Sequence, residues 1–358
     1  MTKDKTTEKI FANAFNQEIK IGAVSLKNIK DHFGSFEGAW KAPFFEIKKL
    51  VKNKKLEEFR HTINPEKEFE KLEKENIKTL LFDELPKMLQ EIYSPPELLY
   101  AKGTLPSEDS PHIAIVGPRK FSTYGKESCK KIVEGLSRVP DNNFVVVSGM
   151  ASGIDTIAHK TAIDNNMKTI AVLGCGLHEN VLFPSSNKKL YREILEKDGV
   201  IISEYPLYMR AQLFTFPQRN RIVAGLSKAT LVIEAPQRSG SLITASMALE
   251  NNRDVFAVPG GIFSKNAEGV NKLIKEGALP VTNSDDILHA FGIETENFEQ
   301  EKNFSSEEKI MIEKITEPIQ RDELLRKIEM PTNEANSLLV KMEIKGIIKE
   351  VSGKIYLA

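Results

Sequence analysis

Only two cysteines, Cys129 and Cys175, occur in 358 residues. That excludes a disulfide framework and a four-ligand zinc site, and it points to a reducing compartment. Long apolar runs are missing as well. No stretch reaches bilayer-crossing length, and the opening MTKDKTTEKIF carries lysines without the apolar segment of a secretion signal. A cytoplasmic protein with no membrane contact is expected. Neither sign of charge dominates: 50 basic side chains face 50 acidic ones. Residues 1–110 carry 19 of each, residues 111–295 carry 21 basic and 18 acidic, and residues 300–358 carry 10 and 11. A uniformly basic surface is therefore excluded, and any anion site must come from a few placed charges. G-x-G-x-x-G, G-x-x-x-x-G-K-[ST] and clustered metal ligands are absent too. Dinucleotide binding, ATP hydrolysis and metal catalysis are left without support, and neither cofactor nor metal is expected.

What is present is a pattern that recurs six times. The runs HIAIVG (112–117), FVVVSG (144–149), TIAVLGCG (169–176), VIISEYP (200–206), ATLVIEAP (229–236) and DVFAVPGG (254–261) are apolar and β-branched, and each stops on small or polar residues. Continuous runs of this length, separated by helix-sized stretches, predict strands of a parallel sheet buried on both faces. Ligands of open α/β sheets bind outside the carboxyl ends of the strands, where helix N-termini favour anions. The pattern thus predicts an α/β, Rossmann-like parallel core built to hold phosphates.

The flanking segments read differently. Residues 1–90 are rich in Lys, Glu and Phe, with spacings such as Phe33, Phe36, Trp40 and Phe44, Ile47 that suit short helices. LKNIKDHFGSFEGAW (26–40) places a glycine turn between two such patterns. A small helical bundle is the preferred reading, and a helix-hairpin-helix or SAM-like module that touches a nucleic-acid backbone is the alternative. SPPELLYAKGTL (94–105) reads as a packed connection into the core, which spans 91–295. The acidic, unpatterned stretch ETENFEQEKNFSSEE (294–308) contains a linker at 296–305. The final segment, 306–358, shows three amphipathic helices, the third capped by Thr332 or Asn333 and stopped by Gly346. A hairpin turning on Ser352-Gly353 follows, which predicts a winged helix. The third helix offers Glu334, Asn336, Lys341 and Glu343, a mixed face better suited to protein than to DNA.

Candidate chemistry gathers at the strand ends. Arg119 follows the glycine that ends the first run. Ser148 and Gly149 end the second, with Asp155 and His159 one helical turn apart, a pair suited to proton transfer or, as we prefer, to holding two elements together. Lys188 and Lys189 close a polar loop, FPSSNKK (183–189). RAQLFTFPQRNRIVAGLSKA (210–229) interleaves Arg210, Arg219 and Arg221 with Phe214, Phe216 and Asn220. Guanidinium forks take phosphates and rings stack on bases, which suits single-stranded nucleic acid; the phenylalanines could equally pack beneath the loop. Ser239, Gly240 and Ser241 open a further helix with hydroxyls and free N–H groups.

Taken together, IAIVGPR, SGMASGID, TIAVLGCGL, SEYP, FPQRNRIVAGLS, EAPQRSGSLITA, VFAVPG and LIKEGA, in this order, resemble the DNA-processing protein A family (DprA, also called Smf) over about residues 80–290. The resemblance implies a single-stranded DNA-binding homodimer that delivers the recombinase RecA in natural transformation and is not an enzyme. Carried over by motif, the DNA contacts would be Arg119, Ser148, Gly149, Phe216, Arg219, Asn220, Arg221, Ser239, Gly240 and Ser241, with Lys188 and Lys189 beside them. Three positions depart from the pattern. Ser152 stands where a basic residue usually precedes GID, GLHENVLFP is longer than its counterpart and has His178 for Asp, and Pro118 stands where Ser is frequent. A competing reading is a nucleotide phosphoribohydrolase resembling the lysine-decarboxylase-like (LOG) group. Its PGG-x-GT-x-x-E element is not matched, because SGSLITAS offers no Glu before Glu250 and PGG (259–261) is followed by IFSK. A third is an interaction scaffold whose pocket holds a mononucleotide signal.

Overall fold

All six apolar runs form neighbouring strands of one sheet. The computed structural model describes residues 2–18, 21–51, 56–139, 144–293, 305–315, 318–328, 330–344, 347–351 and 353–357. The chain divides into two units, Met1–Ile293 and Glu294–Ala358. In chain order the strands of the first unit are β1 (Ile77–Leu81), β2 (Leu98–Gly103), β3 (His112–Val116), β4 (Val145–Ser148), β5 (Lys168–Leu173), β6 (Val200–Ser203), β7 (Ala229–Val232), β8 (Asp254–Ala257) and β9 (Leu279–Pro280). They lie side by side as β1-β2-β6-β5-β4-β3-β7-β8-β9. From β6 to β9 every pairing is parallel, whereas β2 joins β6, and β1 joins β2, antiparallel.

The helices explain why the central runs are apolar throughout. Along β3 and β4, Ala114, Val116, Val145 and Val147 face one layer and pack with Ile222, Val223, Ala245 and Ala248 of α11 (Thr215–Gly225) and α12 (Gly240–Glu250). The alternating residues Ile113, Ile115 and Val146 face the other layer. There they meet Cys129, Ile132 and Val133 of α8 (Thr123–Leu136) and Ala158 and Ala162 of α9 (Ile154–Asp164). With both faces covered, period-2 alternation disappears from the sequence. The remaining helices of this part are α7 (Lys87–Gln90), α10 (Lys188–Glu196), α13 (Glu268–Lys275) and α14 (Ser284–Ala290).

Residues before the sheet supply α1 (Thr2–Asn16), α2 (Ala23–Phe33), α3 (Phe36–Lys41), α4 (Phe44–Ile47), α5 (Leu56–Thr62) and α6 (Pro65–Lys74). Gly34 ends α2 at φ +74°, and Ser35 caps α3 by accepting the Gly38 N–H. Phe11, Phe15, Ile29, Phe36 and Leu72 share one core with Tyr100, Leu190 and Ile201, so these helices pack directly on the sheet. Two strands depart from the sequence reading. Ile77–Leu81, within the segment expected to be helical, is β1, and Leu98–Gly103, expected to be a connection, is β2. Both pair antiparallel at one edge, where tertiary pairing overrides the local pattern.

In the second unit α15 (Ser306–Lys314), α16 (Arg321–Lys327) and α17 (Thr332–Ile344) accompany a three-stranded antiparallel sheet of order β10-β12-β11, from β10 (Ile319–Gln320), β11 (Ile348–Val351) and β12 (Lys354–Leu357). Val351 pairs with Lys354 across the expected hairpin. Ser352 and Gly346 lie outside the described residues, as does the expected linker up to residue 304. Among the described residues no helix is long and apolar enough to cross a membrane.

Candidate nucleic-acid interface

Local hydrogen bonds hold the loops at the carboxyl rim in place. The Ser148 hydroxyl donates to the Ile115 carbonyl at 2.6 Å and ties β4 to β3. The Ile154 N–H donates to the Pro118 carbonyl at 3.3 Å, which docks the Gly117-Pro118-Arg119 turn on the start of α9. Asn187 Nδ2 donates to the Met150 carbonyl at 2.9 Å and fastens the polar loop before α10 to the end of β4.

Arg219 lies inside this framework, not on it. Its side chain projects from α11 and is buried, and Nη1 donates to the carbonyls of Gly149 and Val172, beyond β4 and within β5. A Cβ at residue 149 would come 2.5 Å from the guanidinium carbon, so glycine there is what admits the side chain. The Asp155 carboxylate accepts the N–H groups of Gly149 at 3.2 Å and Ala151 at 3.3 Å, and it faces the Arg219 charge. Burial raises the Asp155 carboxyl above its ordinary range, against the opposing pull of Arg219 and the two N–H donors. Burial lowers the Arg219 guanidinium, with Asp155 pulling the other way; a guanidinium stays charged regardless.

His159 does not bond Asp155. Its Nδ1 meets Thr169 Oγ1 at 2.7 Å, and that hydroxyl donates to the Val146 carbonyl at 2.7 Å. The hydroxyl proton is therefore spent, and Nδ1 must carry the imidazole proton. Burial and then the nearby Arg219 charge push the His159 pKa down to about 3. A fully buried, neutral ring of this kind holds α9 to the sheet.

The exposed part of the rim is aromatic and cationic. Arg119 is exposed, with its guanidinium carbon 5.4 Å from the Phe216 ring centroid and 5.9 Å from that of Phe183. The two rings are 5.5 Å apart and inclined by 50°. Phe183 is 47% exposed, so part of its ring is open to solvent, and among the described residues no carboxylate pairs with the Arg119 guanidinium. A ring beside a guanidinium is chemically suited to stacking and to pairing with an anion. Phe183 was not among the residues singled out from the sequence; its only signal there was its place at the head of the lysine-bearing loop.

The other candidates fall into two groups. Asn220 Nδ2 donates to the Gly240 carbonyl at 3.4 Å, and Asn220 Oδ1 accepts from Arg219 Nε at 3.2 Å, which links α11 to the start of α12. Ser239 caps α12: its Oγ accepts the Ser241 N–H at 3.3 Å and lies 2.7 Å from Ser241 Oγ. Arg119, Phe216, Arg219, Asn220, Ser239, Gly240 and Ser241 are thereby brought into one continuous stretch of rim. Lys188 is half-buried and Lys189 exposed, 3.4 Å from Glu193, and among the described residues no hydrogen bond or ion pair links either lysine to the Arg119 cluster. Arg221 turns to the opposite side of α11, where it meets Glu204 at 2.5 Å and lines a 520 Å³ cleft with Asn16, Val24 and Phe214. Direct contact with a ligand would require Ser148 and Arg219 to abandon buried partners, and Arg221 to abandon its carboxylate.

A large, mostly parallel α/β sheet whose carboxyl rim offers glycine-rich turns, helix N-termini and an arginine over aromatic rings defines the class. The family can be named: the model of DNA recombination-mediator protein A matches residues 76–292, and the chain belongs to that family. It is 45% identical to the DNA processing protein DprA of Streptococcus pneumoniae over 225 residues, 63% of this chain and 76% of that one. It is 37% identical to protein Smf of Synechocystis over 297 residues, 80% of this chain and 73% of that one. The X-ray structure of the S. pneumoniae protein superposes with a TM-score of 0.67 at 35% identity, covering 77% of this chain and 95% of the other. A structure described as showing the single-stranded DNA binding mode of Helicobacter pylori DNA processing protein A superposes with a TM-score of 0.53 at 29% identity, over 60% and 95% of the two chains.

Proposed function

We propose that the chain binds single-stranded DNA along the carboxyl rim and mediates recombination by delivering RecA to it. The observation that carries this reading is the Arg119 guanidinium over the exposed Phe183 ring and the half-buried Phe216 ring. Stacking on a ring is indifferent to base identity, and a guanidinium takes whichever phosphate lies beside it, so binding is expected without sequence preference. In this reading Arg119, Phe183, Phe216, Asn220, Ser239 and Gly240 form the contact surface, with Lys188 and Lys189 at its margin. Ser148, Gly149, Arg219 and Ser241 position it from beneath, and Arg221, paired with Glu204, anchors the far side of α11.

The protein acts as a cytoplasmic homodimer. Ile262, Phe263 and Leu279, exposed beside the last strands, support a second copy at that edge. The order of α15, β10, α16, α17, β11 and β12, with its antiparallel sheet, supports a winged helix that meets a protein partner. The phosphoribohydrolase alternative has little support. Glu250 is the last residue of α12, about 15 Å along the helix from its rim end, too far to serve chemistry there. Titrating a labelled oligothymidylate by fluorescence anisotropy, with excess duplex as competitor, tests the reading. Saturable binding that duplex fails to displace is expected, and its absence sinks the reading.

A further inference from the structure

The sheet changes winding direction between β3 and β7, since the chain leaves β3 through α8 toward β4 on one side and leaves β7 through α12 toward β8 on the other. Open α/β sheets hold nucleotides in the crevice at that point, with phosphate at the helix N-terminus. Here the crevice is filled by the protein itself. Glu234, two residues beyond β7, is only 4% exposed. Its Oε2 accepts the Ser122 N–H at 2.9 Å and Asn266 Nδ2 at 3.2 Å, and its Oε1 accepts the Ser122 hydroxyl at 2.5 Å. Ser122 is the N-cap of α8, its Oγ in turn accepting the Gly125 N–H at 3.1 Å. A Cβ at residue 125 would come 2.5 Å from the Glu234 carboxyl carbon, so the helix start is cut back to make room for this carboxylate. The space left beside it, between Ser122, Tyr124, Glu234 and Gly260, is about 140 Å³, well below the roughly 300–1,000 Å³ of a ligand pocket.

We infer that Glu234 is a specificity-determining residue, an internal anion that closes the switch point to nucleotide phosphates. The carboxylate holds the N–H, hydroxyl and amide donors that a phosphate would need, and its charge repels a second anion. The inference concerns mononucleotides and stands independently of the DNA-binding reading.

Titration calorimetry with adenosine monophosphate, and separately with inorganic phosphate, on the full chain and on Glu234→Gln and Glu234→Ala tests it, after thermal unfolding has shown that each is folded. The native chain should take up neither probe. Glu234→Gln removes the charge at nearly constant shape, and Glu234→Ala opens the crevice. Each should bind adenosine monophosphate at least tenfold more tightly than the native chain does, with inorganic phosphate competing. Saturable uptake by the native chain that Glu234→Gln leaves unchanged overturns the inference. Folded variants without uptake also overturn it, since a purely structural carboxylate would lower the melting temperature and open nothing. If neither variant folds, the carboxylate is a structural anion and the inference fails.

Discussion

Arg219 closes over Gly149, donating to its carbonyl through a space that only a glycine leaves open. The same guanidinium reaches the Val172 carbonyl and faces Asp155. One buried charge thus fastens the ends of two strands and the start of α9. Gly149→Ala should expel it and strand Asp155 without its counter-charge. Leaving one partner of a buried pair uncompensated costs about 3–5 kcal/mol, so a drop in stability of that order is expected in urea denaturation. A change within about 0.5 kcal/mol would contradict the packing described.

Arg119 and Phe183 should behave in the opposite way, because both side chains are exposed. Phe216→Ala and Phe183→Ala each remove a stacking surface worth about 1–3 kcal/mol, or roughly fivefold to a hundredfold in oligothymidylate affinity. Arg119→Ala should weaken binding about tenfold. Melting temperatures of the Arg119 and Phe183 variants should stay near that of the native chain. Unchanged anisotropy titrations for all three would remove the rim as the binding surface.

Salt provides an independent count of phosphates. The logarithm of affinity should fall with the logarithm of salt concentration by about 0.7 for each phosphate neutralised on a single strand. With overall charge balanced, only a few contacts are available, and Arg119→Ala should make the slope shallower by about one phosphate. An unchanged slope would place Arg119 away from the backbone.

The buried imidazole makes stability depend on pH. The His159 pKa lies near 3 in the folded chain against an ordinary value of 6.5, so between these values the unfolded chain binds the extra proton and stability falls as pH falls. From pH 7 to pH 5 the loss attributable to this ring is about 2 kcal/mol. His112, also lowered by burial, acts in the same direction. His159→Asn should therefore show a flatter stability profile than the native chain over this window. Parallel profiles would mean the ring is not shielded.

The central sheet could be read from the sequence because burial on both faces makes each parallel strand a continuous apolar run. Strands β1 and β2 could not, since IKTLL follows a Lys/Glu helical pattern and LLYAKG follows two prolines. Only their antiparallel pairing at the edge of the sheet defines them. Arg219 and Arg221 look alike in the sequence. The phase of α11 separates them, turning Arg219 toward the strand ends and Arg221 toward Glu204. Phe183 and Phe216 are 33 positions apart and meet only because their loops leave neighbouring parts of one rim. Glu234 gave no signal of its own, since its meaning depends on Ser122 and Gly125 across the switch point.

A crystal structure with bound oligothymidylate tests the central claim most directly. The account predicts bases stacked on Phe183 and Phe216 with a phosphate at Arg119, and the Glu234 crevice still closed. A strand lodged elsewhere, with those rings and that guanidinium untouched, would contradict it.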